Sequence, residues 1–96
     1  MHLVILHLMP TGTAALRRIE PSDLANAIRA RAGPAEAPEH VSARIAPPGL
    51  HVGLFYRTES EEKARECAEQ LTRRVVEEMP MFAGWQVDGT EPGAFQ

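Results

Sequence analysis

Residues 3–9, Leu-Val-Ile-Leu-His-Leu-Met, decide the fold. Val4, Leu6 and Leu8 form one alternating set, and Leu3, Ile5 and Met9 form the other, interrupted only by His7. A strand with one wet face alternates apolar with polar residues, so this run predicts a central strand covered on both sides.

Working outward, Pro10-Thr11-Gly12-Thr13 breaks the strand, and residues 14–20 form a connection with room for a helical turn. Pro21-Ser22-Asp23 then opens a helix over 22–32, with Ser22 as cap and Asp23 at the positive end of the dipole. Leu24, Ala27 and Ile28 recur at helical spacing, and Gly33-Pro34 is the stop. After a Pro-bearing loop over 33–39, Val41, Ala43 and Ile45 alternate with Ser42 and Arg44. Leu50, Val52, Leu54 and Tyr56 alternate with His51, Gly53, Phe55 and Arg57. Both segments have the period of a strand, joined as a hairpin through Pro47-Pro48-Gly49. Pairing Ile45 with Leu50 keeps the apolar sets of both strands on one face, whereas a shift by one residue mixes them.

Thr58-Glu59-Ser60-Glu61 has the form of a capping box, with Thr58 as cap of a long helix. Ala64, Cys67, Ala68, Leu71, Val75 and Met79 form its inner stripe, Glu61/Arg65 and Glu69/Arg73 its outer pairs, and Pro80 its end. Residues 81–87 read as the last strand, with Ala83, Trp85 and Val87 facing inward and Phe82, Gly84 and Gln86 outward. The resulting division is a single domain over 1–88 and a flexible C-terminal tail over 89–96. The order strand, helix, strand, strand, helix, strand predicts an α+β, ferredoxin-like βαββαβ sandwich: a four-stranded antiparallel sheet with two helices on one face.

Composition narrows the function classes. The 96 residues suffice for one core without metal or disulfide. Thirteen acidic against ten basic residues give a net charge of -3, without the positive field that drives non-specific nucleic-acid binding. The RNA-recognition motif, which shares this topology, needs aromatics on both central strands, and residues 3–8 offer none. No nucleic-acid partner is therefore expected. The apolar N-terminal run is too short to span a bilayer, and Met1-His2 give no basic start to a signal peptide, so no membrane partner is expected. Cys67 is the single cysteine, which points to a reducing, cytoplasmic setting and to a structural role in the helix stripe. Arg73-Arg74 and Arg17-Arg18 read as solvated basic pairs. No phosphate loop, zinc motif or cysteine pair occurs, and no cofactor is expected.

With the helices on one face, the other face carries Leu3, Ile5, His7, Met9, Ser42, Arg44, His51, Phe55, Arg57, Phe82 and Gln86: an apolar centre with a polar rim. Such a surface suits an interface or a ligand groove. The expectation is a homodimeric interaction or regulatory module, or one that binds another protein, with Leu3, Ile5, His7, His51, Phe55 and Phe82 at the interface. If Leu6 pairs with Val52, His7 lies beside His51. Two imidazoles fall short of the three or four ligands of a typical metal site, so no metal is expected.

In length, topology and expected dimerisation the chain resembles the dimeric α+β barrels, some of which act without cofactor as monooxygenases or polyketide cyclases on small hydrophobic substrates. That resemblance implies a pocket drawing on His7, His51, Tyr56, Arg57 and Trp85, with His as proton shuttle and Arg57 as anion partner. It carries over no catalytic position, and the catalytic residues are unknown on the sequence alone.

Overall fold

A computed structural model describes residues 2–12 and 19–92, with side chains described as far as residue 90. The connection at 13–18, with Arg17 and Arg18, and residues 93–96 lie outside the described residues.

The elements follow the expected order: β1 (His2–Pro10), α1 (Pro21–Arg31), β2 (His40–Ala46), β3 (Gly49–Tyr56), α2 (Glu61–Glu78) and β4 (Trp85–Pro92). The four strands form one antiparallel sheet in the order β2-β3-β1-β4, the ferredoxin-like arrangement. The most apolar strands, β1 and β3, are central, where both of their faces can be covered. Ile45 pairs with Leu50 and Leu6 with Val52, as the alternation requires.

The inner face makes the core. Val4, Leu6, Leu8, Val41, Leu50, Val52 and Leu54 are all at most 3% exposed, packed with Leu24 and Ile28 of α1 and Ala68, Leu71 and Val75 of α2. Alanines 27, 64 and 68 let the helices lie close to the sheet, while Cys67 and Met79 pack at the margin of the core. Tyr56 is buried, and its hydroxyl donates to the Glu36 carbonyl at 3.0 Å. Burial, followed by the nearby Cys67 and Glu36, raises the phenol above the ordinary tyrosine range.

Several local expectations are corrected. Helix α2 is capped by Ser60, whose Oγ accepts from the Lys63 amide at 3.1 Å, whereas Thr58 Oγ1 accepts from the Ser60 amide at 3.3 Å. The competing signal was a second hydroxyl two residues on, equally able to reach a free amide. Helix α1 starts at Pro21 with Glu20 in the cap position and no side-chain cap, so Ser22 is already inside the first turn. Arg74 is tied down: its guanidinium pairs with the Glu36 carboxylate and donates to the Arg31 carbonyl at 3.3 Å. The hydrogen bond from Arg74 holds the Glu36 carboxyl below the usual carboxylate range, against the opposing effect of burial, and the same bond raises the guanidinium.

The last strand moves furthest from expectation. Residues Pro80–Phe82 form a 3-10 turn, and Gly84, at φ 87°, redirects the chain in a conformation that a side chain resists. The Gly84 carbonyl accepts from both the amide and the hydroxyl of Thr11 at 2.6 Å. Strand β4 therefore runs to Pro92, and its pairing with β1 shifts between His7 and Leu8, leaving Asp88 as the extra residue of a bulge. The sheet thus takes up residues 89–92, part of the expected tail.

Candidate functional site

The outer face of the sheet is the candidate site. It consists of Leu3, Ile5, His7 and Met9 from β1, His51, Gly53 and Phe55 from β3, and His40, Ser42 and Arg44 from β2. Gln86 and Gly89 of β4 adjoin it, opposite Met9 and His7. Leu3, Ile5, His7, Met9, His51 and Phe55 are half-buried, each sheltered by its neighbours, and Ser42 and Arg44 are exposed. The apolar centre and polar rim are thus present, though less open than full exposure of each side chain would make them.

Phe82 does not belong to this face. It is fully buried at 0% exposure, because the turn at 80–82 drives it into the core instead of carrying it along a strand. Arg57 lies beyond the end of β3 and pairs with Glu39 at 3.5 Å. The two large hydrophobic side chains most exposed among the described residues are elsewhere: Ile45 at 65% and Met81 at 45%. Ile45 occupies an inward register position, but it sits at the hairpin end and stays exposed there.

His7 and His51 are direct cross-strand partners, and their rings meet edge to face with centroids 4.1 Å apart. They form the ridge of the face. Two residues along, Gly53 faces Ile5 and Ser42, and a Cβ there would be crowded, 3.2 Å from Leu3 Cδ1 and 3.4 Å from Ser42 Oγ. Leu3 and Ser42 thus close in where a side chain would stand, so the glycine is what lets these neighbours lie against the strand. Beside them the face has a hollow, a groove of about 300 Å³ lined by Ile5, Ser42, Ala43, Arg44, His51 and Gly53. Among the described residues Arg44 makes no ion pair with a carboxylate, whereas Arg31, Arg57 and Arg74 each do.

The five polar and aromatic candidates implied by the barrel resemblance do not converge. His7 and His51 are on the outer face, and Tyr56 is in the core. Trp85 packs against the far end of the core, with its indole nitrogen buried and without a hydrogen-bond partner among the described residues. A second cavity, about 280 Å³, is lined by Tyr56, Arg57, Lys63 and Cys67 among others, on the helix side of the sheet. Among the described residues no cluster of three or more His, Cys, Asp or Glu could hold a metal. No helix there is long and apolar enough to cross a membrane.

Two parts of the site escaped the sequence reading. His40 extends β2 by one residue and brings a third imidazole to the outer face, its ring 6.2 Å from that of Phe55. Continuing the alternation of Ser42 and Arg44 back by two would have found it. The groove beside Gly53 was hidden because a glycine in a strand reads as weakness rather than as a point of close approach.

The fold and the site define a ferredoxin-like α+β protein with a half-covered sheet face. Comparisons with family models, curated proteins and solved structures gave no match.

Proposed function

We propose that this protein is a small homodimeric interaction or regulatory module that associates through the outer face of its sheet. The observation that carries the reading is the relief of that face. A ridge, the His7–His51 pair, lies beside a hollow, the groove lined by Ile5, Ser42, Arg44 and Gly53, within a field of half-buried Leu3, Ile5, Met9 and Phe55. A two-fold interface uses one patch on both subunits, so the patch must complement itself. A ridge next to a hollow meets that need, since a rotation can seat each ridge in the opposite hollow. Covering the half-buried apolar side chains would add roughly 25 cal/mol for each Å² withdrawn from water. The single Cys67 suits a cytoplasmic setting.

The enzyme alternative, a cofactor-free barrel acting on a small hydrophobic substrate, has less support, because its candidate residues are dispersed over three regions. Native mass spectrometry across a concentration series tests the choice. A dimer without added mass is expected. A dimer that retains a bound metabolite would favour the enzyme, and a ligand-free monomer at every concentration would remove self-association and leave another protein as the partner.

A further inference from the structure

The groove beside Gly53 combines three features that a purely structural surface does not require together. It has an apolar wall, the Ile5 side chain, beside the Gly53 backbone. Its rim carries Arg44 and the Ser42 hydroxyl, both on the edge strand β2. The Arg44 guanidinium has no carboxylate partner among the described residues. Guanidinium matches a carboxylate with two parallel N–H donors, and the serine hydroxyl can add a third hydrogen bond. At about 300 Å³ the groove is at the small end of ligand sites, enough for one ring or a short aliphatic body.

We propose that this groove binds a small organic carboxylate with an apolar body, and that its occupancy opposes self-association. The carboxylate pairs with Arg44 and Ser42, while the body lies in the groove against Ile5. The regulatory half rests on the proposed dimer, because the hollow is the place the ridge of a second copy would enter. Ligand and second copy then exclude one another, and each weakens the other by mass action.

Benzoate is a suitable probe, with benzamide as its uncharged counterpart, followed in amide correlation spectra of the full chain. Benzoate is expected to give saturable shifts at the Ser42, Arg44 and Gly53 amides, with a dissociation constant of about 1 mM. Benzamide, or benzoate on Arg44→Gln, should bind at least roughly tenfold more weakly. Arg44 is exposed, so the variant should keep the wild-type spectrum away from the groove. Absence of saturation, shifts centred elsewhere, or equal binding of benzamide would overturn the site. Sedimentation separates the two halves. Benzoate at about ten times its dissociation constant should weaken the dimer by roughly tenfold or more. A dimer indifferent to bound benzoate overturns the regulatory half. A chain that is monomeric without benzoate yet binds it at these residues overturns self-association and leaves the carboxylate site standing.

Discussion

On β1, Val4, Leu6 and Leu8 keep at most 2% of their exposure, whereas Leu3, Ile5, His7 and Met9, one step out of phase, remain half-buried. The same contrast runs along β3, where Val52 and Leu54 are fully buried and His51, Gly53 and Phe55 are not. The two faces share one backbone and one set of hydrogen bonds, so the difference between them lies in what covers each. The inner face is closed by two helices and is nearly uniform in character: branched aliphatic side chains, with Tyr56 at one end. The outer face mixes a ring pair, a bare glycine, an arginine and aliphatic side chains. Uniformity serves packing, and variety of shape and charge serves recognition.

The sharpest way to break that comparison is to truncate matched leucines. Leu6→Ala should cost about 3 kcal/mol in denaturant unfolding, because a cavity opens in a core that two helices hold in place. Leu3→Ala, measured at a concentration where the chain is monomeric, should cost under about 1 kcal/mol. Equal losses would mean that both faces belong to the core.

A smaller effect tests how the margin of the inner face is fastened to the 33–39 loop. Tyr56→Phe removes the hydroxyl that donates to the Glu36 carbonyl and should cost about 1 kcal/mol. In the wild type the buried phenol should ionise only above the ordinary tyrosine range, read by ultraviolet absorbance during alkaline titration. Ionisation within the ordinary range would show that the ring is not held in the core.

The smallest effect concerns acid. Because Arg74 holds Glu36 below the usual carboxylate range in the folded chain, this pair stabilises the fold at neutral pH. Its contribution is complete above the range in which an unfolded carboxyl titrates, and it fades as pH falls through the lower, folded value. The two side chains are partly exposed, so the effect should be smaller than that of Tyr56→Phe. Glu36→Gln should accordingly lower the unfolding midpoint at pH 7 and approach the wild type in strong acid. A gap that widened on acidification would reverse the assignment.

The faces of β1 and β3 were legible in the sequence because a period of two is strict: once Leu6 is inward, Leu3, Ile5 and His7 must be outward. The His7–His51 contact followed from the same register. Phe82 was misplaced because an apolar run between Pro80 and Gly84 has no period of its own. Whether it forms a strand or a turn depends on the distance from the end of α2 to the sheet, which is a tertiary property. The extension of β4 to Pro92 was obscured for a different reason: Asp88 and Gly89 carry turn signals that the bulge absorbs. The groove was hidden more deeply, since it depends on Arg44, Ser42 and Gly53 meeting across two strands.

The central claim is that the outer face is where one copy meets another, and sedimentation equilibrium of the wild type beside Ile5→Asp tests it most directly. Up to roughly 100 μM, the wild type should be a dimer, and Ile5→Asp should weaken it by at least about tenfold while keeping the same circular dichroism spectrum. A wild type that stays monomeric throughout, or a dimer that a charge at residue 5 leaves intact, would contradict it.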